Sequence, residues 1–254
     1  MNRPFFSIVT PVFNGEKFIE ETIKSVVNQS INDYEYIVVD NLSTDNTKNI
    51  INKYSSKITK IIFEKDDGMY DALQKGFDYS NGKYLYWLNS DDFLKNHNVL
   101  KNVKIYLEKN PQVEWINGNT CFKYENLNLL INLFPYQYPQ NIIKKGLAHN
   151  CAWGFVQQES TIFSHRIFKE VGGLKKRYKM AGDYYLWKEF SKTKKLTAVN
   201  ISIGVQRKWN GQLQSNLDFY YKEINKKKCK IALIKYVRIF YSILIFIKYL
   251  IFKK

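Results

Sequence analysis

The sequence predicts an α/β protein built on a Rossmann-like, mainly parallel sheet flanked by helices, and three observations carry that expectation. Apolar runs of strand length recur through the first ninety residues, at 5–10, 34–40, 58–64 and 83–88. Helical spacing appears between them, most clearly in Phe18, Ile19, Thr22, Ile23, Val26 and Val27. Strands alternating with amphipathic helices in this way indicate βαβ units, whose right-handed crossovers place helices on both faces of a parallel sheet. No internal repeat or long linker interrupts the chain up to about Arg207, so residues 1–207 read as one body with halves 1–92 and 93–207.

The elements follow in order. Pro11 closes the first strand, and Asn14-Gly15 leads into the first helix. After Asp40, the stretch Ser43-Thr44-Asp45-Asn46-Thr47 offers the hydroxyls and carboxylate of a helix start, with that helix running to about Tyr54. Asp66-Asp67-Gly68-Met69-Tyr70-Asp71 opens a third helix, and Asn81-Gly82 turns the chain into a fourth strand that ends in the adjacent carboxylates Asp91 and Asp92. A helix is expected over about 98–109, strands over 113–117 and 119–122, a loop-rich segment over 124–150, and a further helix led by residues 180–187.

The tail, 208–254, differs in kind. Five lysines fall within 222–230, and residues 231–252 are dominated by Ile, Leu, Phe and Tyr with Lys235, Arg238 and Lys248 interspersed. The longest uncharged run there is too short to span a bilayer, which takes about 20 residues. A basic arc beside a broad apolar face suits an amphipathic helix lying at an anionic membrane surface, although a helix packed on the body has the same pattern. The formal net charge of +16 needs an anionic partner, and its concentration toward the tail favours lipid. Three scattered cysteines, Cys121, Cys151 and Cys229, argue against a disulfide framework. With no signal peptide in view, the expected location is the cytoplasmic face of the inner membrane, peripherally bound.

The strand tips would present their chemistry together. Thr10, Pro11, Phe13 and Asn14 follow the first strand, Asp40 ends the second, Glu64 and Asp67 follow the third, and Asp91 and Asp92 the fourth. Ligands of open α/β sheets collect outside these carboxyl ends. No phosphate-cradling glycine motif is present, so clustered oxygen ligands point instead to Mg²⁺ or Mn²⁺ bridging a nucleotide diphosphate. The same acids also suit helix caps and turns. His97, His149 and His165 form no metal set.

Over residues 5–195 the chain resembles the inverting family 2 glycosyltransferases of bacterial surface-polysaccharide assembly, which have the GT-A fold. Ser7-Ile-Val-Thr-Pro-Val-Phe-Asn14 looks like the family's opening strand, and Val38-Val-Asp-Asn-Leu-Ser-Thr-Asp-Asn-Thr47 resembles its second. The resemblance implies that Asp40 meets the nucleotide base. Asp66-Asp-Gly-Met-Tyr-Asp-Ala72 with Lys75-Gly76 is similar to a subgroup signature, bringing Asp67, Gly68, Asp71 and Lys75 to the donor. Asn89-Ser90-Asp91-Asp92 resembles the metal-binding acidic motif, with Asn89 where many relatives have Asp, so that Asn89, Ser90 and Asp91 contact the donor while Asp91 and Asp92 hold the metal. Gln157-Gln158-Glu159-Ser160-Thr161 looks like the acceptor segment, and Trp153 before it is a candidate sugar-stacking residue. Gly182-Asp183-Tyr184 resembles the segment that supplies the catalytic base, Asp183.

The expected function is therefore inverting transfer from a nucleotide-diphosphate sugar, with UDP favoured, to a polyprenyl-diphosphate-linked glycan for O-antigen, capsule or exopolysaccharide. Residues 1–92 would bind the nucleotide sugar, 93–207 the acceptor, and 208–254 the membrane. A basic nucleic-acid-binding protein and a sugar nucleotidyltransferase are the alternatives. Acidic strand tips disfavour nucleic acid, and Thr10-Pro-Val-Phe-Asn-Gly15 lacks the glycine-rich basic loop of the nucleotidyltransferases.

Overall fold

A computed structural model describes residues 3–149, 155–210, 212 and 217–226. The first half is regular: β1 (Phe6–Val12), α1 (Ile19–Val27), β2 (Tyr34–Asp40), α2 (Thr47–Lys53), β3 (Lys60–Phe63), α3 (Met69–Asp78) and β4 (Tyr84–Trp87). Strands β3, β2, β1 and β4 lie side by side in that order, all parallel. Alternate residues of each strand feed opposite faces. Ile8, Val38, Tyr84 and Tyr86 join the core shared with α1 and α2, whereas Val9, Ile37, Val39, Leu85 and Trp87 join the core shared with α3. Burial of both faces is why these strands read as near-continuous apolar runs.

Pro11 lies inside β1, one residue beyond its expected end. Its partner is Val39 of β2, while the ladder to β4 stops at Val9–Trp87, so its missing N–H interrupts no pairing with β4. The order of strands reverses at β1 and β4, and their carboxyl ends open a crevice there.

The second half adds β5 (Phe93–Leu94), α4 (Val99–Lys109), β6 (Trp115–Tyr124), β7 (Leu129–Leu133), α5 (Gln140–Lys144), β8 (Thr161–Ser164), α6 (His165–Glu170), α7 (Gly182–Phe190), β9 (Thr197–Lys208) and α8 (Leu217–Glu223). Strand β8 runs antiparallel to β4, β6 antiparallel to β8, and β9 parallel to β6, continuing one mixed sheet. The two strands expected around residue 118 are one, β6. Gly118 sits at a bulge in its pairing with β9, where a Cβ would collide with the carbonyl oxygen of Ile201.

The segment 124–150, expected to be loop-rich, instead contains the β6–β7 hairpin and α5. Helix α8 falls within the expected tail, 208–254. Residues 217–226 do not stand apart as a tail: Tyr220, Tyr221 and Ile224 form a buried cluster with Ala181 and Tyr184 of the body. The remainder of the expected amphipathic helix, 227–254, lies outside the described residues, as does Trp153. Among the described residues no helix is long and apolar enough to cross a membrane.

Replacing Gly118 by Ala should lower stability by about 1–3 kcal/mol, because β9 must shift to admit the methyl group. Chemical denaturation with an unchanged m-value would read the loss.

Candidate active site

Two adjoining cavities open at the carboxyl ends of β1 and β4. The first, of about 480 Å³, is lined by Pro11, Phe13, Asn41, Asp66, Gly68, Tyr70, Trp87 and the turn from Asn89 to Asp92. The second, of about 700 Å³, is more apolar, with Phe122, Tyr124, Leu127, Phe155, Trp209, Leu217 and Tyr220 in its wall. Gln158, Glu159, Met180, Asp183, Gln206 and Gln212 line both.

The turn after β4 is held from three sides. Thr22 of α1 directs its hydroxyl at the carbonyl oxygens of Ser90 and Asp92, at 2.8 and 2.7 Å. Asp92 is 1% exposed, and its two carboxylate oxygens accept from the Arg207 backbone N–H (2.8 Å) and from Asn89 Nδ2 (3.1 Å). Burial, with Asp91 and Glu159 nearby, pushes its carboxyl well above the usual range. Asp91 is more open: Oδ2 accepts from Trp209 Nε1 at 2.9 Å and Gln212 Nε2 at 2.8 Å, and Oδ1 makes no hydrogen bond among the described residues. The two acids expected to share a metal therefore have different surroundings.

Asn89 has a positive reason to be an amide. Its Oδ1 accepts from Trp87 Nε1 at 2.6 Å, while its Nδ2 donates to Asp92 and to Gln158 Oε1 (3.2 Å). A carboxylate there could not donate, and would set a second negative charge against Asp92.

Other expected donor residues divide in the same way. Pro11, Phe13, Gly68, Asn89, Ser90 and Asp91 line the first cavity. Thr10 is fully buried and accepts a hydrogen bond from Tyr36, and the Asn14 side chain accepts from the backbone of Thr44. Asp40 is buried at the end of β2; its Oδ1 accepts from the amide and hydroxyl of Ser43, and its Oδ2 has no partner among the described residues. Asp71 accepts from the Asp67 amide, Lys75 donates to the Lys65 carbonyl, and the Asp67 carboxylate faces Lys176 at 4.0 Å. These three brace the start of α3. There Gly68 takes a φ of 114°, a conformation that favours glycine, and its amide donates to Asp66.

In the segment expected to meet the acceptor, Gln158 Nε2 donates to the Trp87 carbonyl at 2.6 Å, and the Ser160 hydroxyl to the Asn119 carbonyl at 2.6 Å. Both side chains serve to dock the segment. Glu159 is buried, accepting from Gln157 (2.6 Å) and Gln206 (2.9 Å), and burial raises its carboxyl. Asp183, in the first turn of α7, borders both cavities, and desolvation, with the nearby Glu159 charge, pushes its carboxyl up to about 7.

The sequence model of glycosyl transferase family 2 matches residues 7–172. The chain belongs to this family. A Bacillus subtilis protein named for teichuronic acid biosynthesis, TuaG, is 33% identical over 110 residues, covering 42% of this chain and 44% of TuaG. The uncharacterized glycosyltransferase MJ1057 of Methanocaldococcus jannaschii is 32% identical over 150 residues, 57% of this chain and 51% of that protein. The chain thus spans about half the length of these curated relatives. Among solved structures, S. aureus TarS in complex with UDP-GlcNAc superposes with a TM-score of 0.67 at 19% identity, over 85% of this chain and 63% of that one. The Pyrobaculum calidifontis mannosyltransferase PcManGT, in complex with GDP-Man and Mn²⁺, gives 0.63 at 17% identity, over 92% and 68%. The fold is the GT-A fold of family 2.

Several residues of this family 2 site are not evident from sequence. Arg207 is 1% exposed; its guanidinium donates to the Asp91 carbonyl, Glu21 and Glu125, and lies against Phe18 and Phe93. Trp209 and Gln212 hold Asp91. Glu223 of α8 accepts three backbone amides, those of Lys179, Met180 and Ala181, at 2.7–2.9 Å, immediately before α7 begins. A carboxylate receiving successive amides at a helix N-terminus fixes the strip that carries Met180 and Asp183. No short-range pattern signals this contact, because more than forty residues separate the partners.

Glu223→Ala should release that strip. Amide hydrogen exchange over 179–185 should accelerate by about tenfold or more, since hydrogen bonds to a charged acceptor contribute roughly 1.5–3 kcal/mol each. Exchange in β1 and β2 should stay unchanged.

Proposed function

We propose that the protein is an inverting glycosyltransferase of cell-surface polysaccharide or glycolipid synthesis, transferring a sugar from a nucleotide diphosphate to a hydroxyl of a lipid-linked glycan. The observation that carries this reading is the position of Asp183 on the wall common to two cavities, with a carboxyl poised near neutrality. The cavity at β1 and β4 would take the donor, and the apolar one the acceptor. TarS bound to UDP-GlcNAc supports a UDP-sugar donor, and TuaG's name supports a surface-polysaccharide role.

The chemistry is one displacement. An acceptor hydroxyl oxygen attacks the anomeric carbon as the bond from that carbon to the diphosphate oxygen breaks, and the configuration inverts. The hydroxyl proton passes to the Asp183 carboxylate, and the nucleoside diphosphate leaves. A base with a pKa near the working pH is ionised often enough to act and basic enough to take the proton. Glu159, already hydrogen-bonded to two amide side chains, shapes the field around Asp183.

A divalent cation, Mn²⁺ or Mg²⁺, fits this donor set in one way. Among the described residues no group of three or more acidic, histidine or cysteine ligands is assembled, and Asp92 has both oxygens engaged. Asp91 Oδ1 makes no hydrogen bond among the described residues, and Mg²⁺ sites commonly combine one or two carboxylates with substrate phosphates. Asp91 would hold the ion together with the donor diphosphate, and the ion would offset charge on the departing group. The complex of PcManGT with GDP-Man and Mn²⁺ supports this assignment.

The basic sequence beyond α8 supports a peripheral position at the cytoplasmic face of the membrane, beside a polyprenyl-diphosphate-linked acceptor, and the acids at the strand tips speak against nucleic acid as a partner.

Asp183→Asn should keep nucleotide binding and lose transfer, measured by calorimetry with UDP and Mn²⁺ and by screening nucleotide sugars for turnover; near-normal turnover would remove Asp183 as the base. Transfer by the unmodified protein should rise with pH through about 7, where Asp183 ionises. Stability has the opposite trend. The folded state holds this proton more tightly than the unfolded chain, so Asp183 lowers stability progressively as pH rises from the ordinary value of 3.8 to about 7. Asp183→Asn should accordingly raise Tm at pH values above this window, with the gain vanishing toward its acid end. Asp91→Asn should weaken Mn²⁺-dependent UDP binding at least about tenfold, a loss of 1.4 kcal/mol, while metal-free binding stays the same.

A further inference from the structure

The β6–β7 hairpin carries apolar residues that the body does not cover. Leu127 at its tip is 71% exposed, and Leu129 and Leu130 are each 46% exposed. Cross-strand register places Leu129 opposite Tyr124, on the side that lines the larger cavity, and Leu130 opposite Lys123, on the other side. The hairpin therefore exposes a leucine on each face and a third, Leu127, at a tip that it shares with Asn126 and Asn128. A flat protein partner would cover one face; a medium that surrounds the hairpin would cover both. Isolated exposed leucines are ordinary, but three within residues 127–130, next to a strand paired on one side only among the described residues, are a liability in water.

Charge and position identify the medium. Glu125 is the hairpin's one acid, and its carboxylate is already paired with Arg207 and Lys123, so the tip offers no free negative charge. Across the same cavity, α8 turns outward Phe219, 42% exposed, beside exposed Asp218 and Lys222, and Lys226 is exposed just beyond it. Beyond Lys226 the sequence continues with the remaining lysines of 222–230 and then the apolar run 231–252. We propose that the β6–β7 hairpin tip is a lipid-docking wedge that enters the interfacial region of an anionic bilayer, bringing the mouth of the apolar cavity against the membrane.

In this arrangement Leu127, Leu129 and Leu130 sit among headgroups and upper acyl chains, where the free edge of β7 can still hydrogen-bond to water and lipid carbonyls. Lys222, Lys226 and the lysines that follow contribute a salt-sensitive attraction, and the leucines a salt-insensitive one. The inference rests on surface composition and is independent of the catalytic reading.

The test is sedimentation of the full chain with vesicles of equal parts phosphatidylglycerol and phosphatidylcholine, comparing the natural protein with the double variant Leu127→Ser, Leu130→Ser. In high sodium chloride, where the electrostatic part is screened, the variant's partition coefficient should fall by about tenfold or more. Thermal melting should be unchanged, since both side chains are solvent-exposed in the absence of lipid. Equal partition of the two proteins in high salt would overturn the proposal. So would a variant that binds vesicles normally but loses concentration-dependent self-association in light scattering, which would make the wedge a contact between chains. A drop in Tm with normal vesicle binding would equally overturn it, by showing that the leucines pack against this chain's own tail.

Discussion

The buried guanidinium of Arg207 is the constraint on which the site depends. It sits at the end of β9, against the rings of Phe18 and Phe93, and reaches Glu21 on α1, Glu125 on the hairpin and the carbonyl of Asp91, while its own amide serves Asp92. A charge this deep is tolerated only when it is fully paired, and removing one partner of such a group typically costs about 3–5 kcal/mol. Its pairing fixes four pieces of chain relative to one another. The acidic turn, the hairpin wall of the larger cavity and the first helix are thereby set as one unit.

The second support is the contact of Glu223 with the approach to α7. Together the two anchors divide the work of the acidic residues. Asp92 and Glu223 have their oxygens taken up by amide groups, whereas Asp91 Oδ1 makes no hydrogen bond among the described residues and Asp183, accepting from the Tyr70 hydroxyl at 3.4 Å, borders both cavities. A carboxylate's role here follows from what already occupies its oxygens, and the adjacent pair Asp91 and Asp92 shows that sequence neighbours differ in this respect.

Much of this was legible in the sequence, for identifiable reasons. Parallel strands buried on both faces leave nearly unbroken apolar runs, so β1, β2 and β4 were plain, and the tip of β4 marked the crevice. Asp183 was reached through a short resemblance, and it does border both cavities. What sequence patterns hid were contacts between residues far apart: Arg207 with Glu21 lies 186 positions away, and Gln212 with Asp91 lies 121. The hairpin was missed because β7 lacks the alternation of a half-buried strand, having little of either face covered. In the sequence, α8 merges with the basic tail because composition registers the lysines from Lys222 onward, and not the carboxylate of Glu223 turned toward α7.

The reach of those contacts bears on the order in which a newly made chain becomes competent. The strands of the parallel half are all in the chain by Trp87 and pair over modest loops, whereas one of their faces is covered in part by Leu100, Ile116, Ile162 and Ile203 of the second half. The turn bearing Asp91 gains its full set of partners only once Gln212 has emerged, and the strip bearing Asp183 only once Glu223 has. Closing such long loops is slow relative to local pairing. The ordering of both acids thus waits on Gln212 and Glu223, which enter the chain long after the parallel strands.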